Sequence, residues 1–97
     1  MPTFMILGKF TEQGARNIKE SPKREDAFRK VCEKQNVRVK DVYRTMGRYD
    51  LAAIVDAPDD VTMSAILYTL GSLGNVRTET LRAFTPQETE AALARVA

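Results

Sequence analysis

Gly47-Arg48-Tyr49-Asp50 is the stretch of this chain that brings a fixed positive charge, a phenol, a carboxylate and a pliable glycine backbone together. Asp50 is the candidate general base, its pKa raised if a subunit interface desolvates it. Tyr49 and Tyr43 are further candidates for an acid or oxyanion contact, although Tyr49 and Asp50 do not form an adjacent pair on one substrate, and Arg48 is a candidate clamp for a ligand carboxylate. Each has a structural reading beside the chemical one. An Asp after a tight turn accepts hydrogen bonds from nearby backbone amides, and an Arg at a hairpin tip is solvated. Tyr43, Tyr49 and Tyr68 are too scattered for a base-stacking platform and read as core or interface residues with bonded hydroxyls. The chain has no His, no Trp and one Cys. Without His there is no Ser/His or Cys/His pair and no His-ligated metal, and one Cys builds neither an intramolecular disulfide nor a zinc cluster. No metal and no cofactor are expected, so any catalytic reading concentrates on Asp50 and Tyr49.

Charge narrows the partners. The formal net charge is +2, yet residues 1–48 carry +6 and residues 49–97 carry −4. The basic residues between Lys19 and Arg48 alternate with Glu20, Glu25, Asp26, Glu33 and Asp41, which is the pattern of a solvated face rather than a nucleic-acid site. Phe4 to Leu7 is too short an apolar run for a membrane span or signal segment, so a cytoplasmic protein without membrane contact is expected.

The elements that position the tetrapeptide follow from hydropathy and end signals. Thr3 to Phe10 is apolar on both faces and reads as a strand covered on both sides. A helical turn is expected around Gly14 to Lys19. Ser21 as cap and Pro22 in the first turn open a helix whose face carries Ala27, Phe28, Val31 and Cys32 and which ends at Asn36. Cys32 on that stripe reads as a small buried hydrophobe. A second strand, Val37 to Met46, changes face near Asp41, the sign of a bulge. Gly47-Arg48 fits a two-residue type II′ turn into a third strand from Tyr49 to Ala57, on which Tyr49 and Asp50 point to opposite faces. Pro58 to Asp60 open a second helix carrying Met63, Ile66, Leu67 and Leu70, closed by Gly74. Val76 to Phe84 is the fourth strand, with Arg77, Glu79 and Arg82 as a salt-bridge ladder, and Thr85-Pro86-Gln87-Glu88 caps a short final helix.

The order βαββαβ predicts one α+β domain over residues 1–97, a ferredoxin-like four-stranded antiparallel sheet with two helices on one face and an extra C-terminal helix. Its other face is bare, although Phe4 to Leu7 and Leu51 to Val55 are apolar on both sides. Ala91, Ala92, Leu93 and Val96 are too little to cover it, so the chain is expected to pair with itself through the open sheet, as a homodimer or higher oligomer.

With Gly47-Arg48-Tyr49-Asp50, Ala57-Pro58-Asp59-Asp60 and Leu70 to Phe84 in this order, nearly the whole chain resembles the GYD-domain family of small bacterial and archaeal proteins. The resemblance implies a ferredoxin-like dimeric α/β barrel and no particular reaction. More distantly, Gly47, Tyr49, Asp50, Leu73, Gly74, Val76, Thr78 and Thr80 are similar in order to the ligand-sensing domain of leucine-responsive regulatory proteins. That likeness implies loops that bind amino acids at subunit interfaces; Asn75, inside the Leu-Gly-Val segment, departs from it.

Three readings of function stand. The first is a small homo-oligomeric protein binding a small molecule at or near an interface built around Gly47, Arg48, Tyr49 and Asp50. The second is a cofactor-free enzyme, of oxygenase or isomerase type, using Asp50. The third is a structural or regulatory module for protein contacts.

Overall fold

The computed structural model describes residues 1–97. Four strands, β1 (Thr3–Phe10), β2 (Arg38–Arg44), β3 (Leu51–Asp56) and β4 (Val76–Ala83), form one antiparallel sheet in the order β2-β3-β1-β4. The helices are α1 (Glu12–Arg16), α2 (Ser21–Lys34), α3 (Asp60–Leu73) and α4 (Pro86–Leu93). This is the ferredoxin-like α+β arrangement that the element order predicts, with the two halves' crossover strands β1 and β3 paired at the centre.

Local chemistry sets most of the boundaries. Asp59 caps α3 by accepting from Thr62 N at 2.7 Å, and Gly74 closes it at φ 77°. Thr85 and Glu88 form the expected capping box of α4, with Pro86 in its first turn. At the end of α2, Asn36 takes φ 58°, while Val37 N donates to Cys32 O at 2.9 Å and Asn36 N to Glu33 O at 3.2 Å. That paired closure lets Val37 fold back onto Cys32, both buried. The α2 start differs from the sequence reading. A 3₁₀ turn, Ile18–Glu20, runs straight into α2, so Ser21 is its first residue and not its cap, and its hydroxyl is free for another partner.

The expected bulge is present: Val39 pairs with Val55, but Asp41 with Ile54, leaving Lys40 as the extra residue. It brings Val39 and Val42 to the same side, opposite Val55 and Ala53. That side packs under α2 and α3, where Phe4, Ile6, Cys32, Val55, Met63 and Ile66 form the core. Cys32 is wholly buried, and burial pushes its thiol up to about 11. An aromatic disulfide reagent at about pH 8 is therefore expected to label Cys32 only as fast as the protein opens, and full-speed labelling of the native protein would contradict this burial.

The sheet's other face stays uncovered. Only 12 of 97 residues are buried, and the thinnest dimension, 19 Å, is that of one sheet with one helix layer. Every residue of α4 except Glu88 is exposed, so α4 does not fold over the open face.

Candidate functional site

The β2–β3 connection is wider than the two-residue turn that Gly47-Arg48 suggests. Regular pairing stops at Arg44–Leu51, after which Thr45 N donates to Asp50 O at 2.9 Å and Thr45 Oγ1 to Tyr49 O at 2.6 Å. Met46 to Tyr49 thus make a four-residue tip, with Gly47 at φ 99°, a backbone conformation that L side chains rarely adopt. Tyr49 and Asp50 lie in this loop and not on β3. The reason is β1, which runs past the end of β3: Gly8 is the last residue opposite Leu51, yet β1 continues to Phe10. Asp50 satisfies the overhang, donating its N–H to Gly8 O and accepting from Phe10 N at Oδ2, both at 2.8 Å. Its carboxylate has the backbone-accepting role that the residue type suggests.

Tyr49 turns to the open sheet face, where its hydroxyl donates to the Glu79 carboxylate on β4. Two cross-strand rows define that face. One reads Asp41, Ile54, Met5, Leu81 and the next Tyr43, Ala52, Leu7, Glu79, in the strand order of the sheet. Met5, Leu7, Ala52 and Ile54 are half-buried and Leu81 is 46% exposed, so an apolar strip lies between charged and phenolic borders. The bond to Glu79, followed by desolvation, raises the Tyr49 pKa above its ordinary value. A raised phenol pKa means that this contact supports the fold below about pH 10 and is lost as pH climbs through the raised value. In an ultraviolet titration, one of the three tyrosines is expected to ionise last. Tyr49→Phe should remove that step, and a step surviving Tyr49→Phe would assign it elsewhere.

The opposite side of the same sheet end holds a cluster that the sequence pattern does not announce. Arg44 donates to Ser21 Oγ at 2.9 and 3.1 Å, to Ser21 O at 3.2 Å and to Glu25 Oε1 at 2.6 Å, tying β2 to the start of α2. The Arg44 hydrogen bond is the main reason that the Glu25 carboxyl titrates below its usual range. Next to this cluster, an opening of about 150 Å³ lies between α2, α3 and the sheet. Gly47 to Asp50 do not line it.

Of the sequence candidates, Tyr49 and Asp50 share the loop but face different partners, and Arg48 is exposed at the tip. The expected ladder on β4 is split between faces. Glu79 takes Tyr49, whereas Arg82 lies on the helix side, 4.4 Å from the Phe84 ring centre and 3.0 Å from Glu88 of α4. Glu79 is the residue missed as a partner of Tyr49; the strict alternation Arg77, Glu79, Leu81 against Thr78, Thr80, Arg82 was its available signal.

Fold and loop define a ferredoxin-like protein with a Gly-Arg-Tyr-Asp connection on the border of an open sheet. The GYD domain matches residues 4–93, and the chain belongs to the GYD domain family. It is 36% identical over 84 residues to a Thermus thermophilus protein named glutamine synthetase and cystathionine beta-lyase binding protein, covering 86% of this chain and 88% of that protein. A crystal structure of a Thermus thermophilus protein is similar at a TM-score of 0.55 and 28% identity, covering 88% of this chain and 95% of that chain. No helix is long and apolar enough to cross a membrane.

Proposed function

We propose that this chain is a protein-binding module that pairs with itself through the open sheet face and, as a dimer, engages a larger partner protein. The observation that carries the reading is the uncovered strip Ile54, Met5, Leu81 with Ala52 and Leu7 beside it. A monomer gains nothing by placing Met5, Leu7 and Ile54 on the outer face of its central strands and Leu81 beside them on β4, whereas a second sheet packed about 10 Å above them buries all four. The exposed α4 does not cover this face, which leaves room for that second sheet. The Thermus relative's name supports a metabolic enzyme, such as glutamine synthetase, as the partner class.

The Gly47–Asp50 loop borders this face, and the meeting of the Tyr49 hydroxyl with Glu79 supports a second reading in which a small molecule binds beside the loop between two copies. Light scattering with interferometric binding to purified glutamine synthetase and cystathionine beta-lyase tests the first reading. A dimer that holds either enzyme saturably is expected; a monomer of 10.9 kDa that binds neither would overturn it. A thermal-shift screen of amino acids and aromatic acids tests the second, with loss of the response in Glu79→Gln as the expected signature.

A further inference from the structure

We infer that the opening between α2, α3 and the sheet is a binding site for a small, neutral, predominantly apolar aromatic molecule. The space is lined by α2 from Ser21 to Val31 and by α3 from Ile66 to Leu73, and side chains do not fill it. It measures about 150 Å³, with Ile6, Ala53 and Ile66 among its lining residues and Phe10, Phe28 and Leu70 along its sides. The space is partly open to solvent, and its volume is of the order that holds a benzene-sized guest between apolar walls. Phe10, Phe28, Val31 and Leu70 all line this space and remain half-exposed, so a guest would cover apolar surface that the fold itself leaves open.

The polar groups around the space select the class of guest. Arg44 is already bound to Ser21 and Glu25. Arg24 donates to Asn17 O at 2.9 Å and to Gly14 O at 3.3 Å, and its guanidinium lies 5.8 Å from the Phe10 ring centre. Thr69 Oγ1 donates back to Ala65 O. Arg44 has its counter-charge in Glu25, and Arg24 is held by two backbone carbonyls beside the Phe10 ring, so a charged guest would lose its hydration in an apolar space and would have to draw Arg24 away from those carbonyls to find a counter-charge. A neutral ring loses little and gains contacts with two aromatic walls in the offset or edge-on geometries that such rings prefer. This site is on the helix side of the sheet, remote from the self-association face, and does not depend on the dimer.

Two-dimensional NMR of the whole chain, titrated separately with toluene, indole, phenol and benzoate, tests the inference. Expected is saturable binding of toluene or indole with a Kd of about 1 mM or tighter, with shifts centred on Ala53, Ile66 and Leu70. Benzoate at equal concentration should leave those signals in place. Ala53→Leu, which fills the chamber, should weaken binding by about tenfold or more. Ala27→Leu, at the chamber's α2 wall, makes the same test with less strain if Ala53→Leu does not fold. The inference is overturned if neither neutral ring shifts these residues, if the shifts fall on the open sheet face, if benzoate binds as well, or if a folded filled variant binds unchanged.

Discussion

Leu7→Lys is expected to turn the proposed dimer into a monomer with its fold intact. Leu7 stands in the row Tyr43, Ala52, Leu7, Glu79 at the middle of the open face, so in a lone chain the new ammonium simply meets water. In a face-to-face pair it is desolvated, and a two-fold interface buries it twice with like charges facing each other. An uncompensated buried charge costs about 3–5 kcal/mol, which is roughly two to four orders of magnitude in the Kd of the proposed dimer. The neighbouring Glu79 offsets part of this, although it already holds the Tyr49 hydroxyl. Light scattering across a dilution series measures the shift, and circular dichroism checks that the fold persists. Ser72→Lys, exposed on α3, serves as the control and should leave the mass unchanged. A Leu7→Lys protein that stays dimeric at the natural protein's concentration dependence would remove the sheet face from the interface, and the proposed mode of self-association with it.

Gly14→Ala should cost about 2 kcal/mol of stability although it replaces a helical glycine with the best helix former. Alanine's helix propensity favours the change by about 1 kcal/mol. Against it stands geometry: a Cβ at Gly14 would lie 2.0 Å from Asn75 O and 3.0 Å from Asn75 C. Those are backbone atoms, so no side chain can rotate away, and overpacking of this kind costs about 1–3 kcal/mol or more. The contact is also tied down from both sides. Thr11 N donates to Asn75 O at 3.0 Å, Thr11 Oγ1 to Gly74 O at 2.6 Å, and Gln13 Nε2 to Asn75 Oδ1 at 3.0 Å. A methyl group must therefore push α1 off the α3–β4 turn and loosen three hydrogen bonds together. At about 4–8 °C per kcal/mol for a domain of this size, the melting temperature should fall by roughly 8–16 °C. Gly71→Ala is the matched control, since nothing lies within 4 Å of its Cβ position and the added methyl should be neutral or slightly stabilising. Equal stability of Gly14→Ala and the natural protein would show that the turn can yield and that the close approach has no energetic weight.

These two positions mark the boundary between local and tertiary information. The α3 start at Asp59, the Gly74 stop and the Thr85/Glu88 box follow from end signals, because hydrogen bonds within a few residues dictate them, and the strand Thr3–Phe10 follows from its apolar run although its ladder partners lie on β3 and β4. The bulge at Lys40 was legible as well, since Val39 and Val42 can share the core side only with an extra residue between them. The bare apolar face was legible from Met5 and Leu7 alternating with Phe4 and Ile6, combined with the two-layer limit of the fold. The β2–β3 loop was not. Local turn chemistry favours a two-residue hairpin at Gly47-Arg48, but the amides of β1 beyond Gly8 pull Asp50 toward them and widen the turn.

Of the candidate site, the chain by itself marks Gly47, Arg48, Tyr49 and Asp50 as the loop of interest and restricts its chemistry, through the missing histidines, to carboxylate, phenol and guanidinium groups. What each side chain meets was decided in three dimensions. Tyr49 finds Glu79 thirty residues away, Arg44 finds Ser21 twenty-three residues back, and Asp50 serves a strand end forty residues before it. Such contacts depend on which strands lie side by side, and the opening between the helices depends on how α2 and α3 pack over the sheet. Neither is written in any local run of residues, because both result from how the strands and helices pack together and not from the local signals that mark each element.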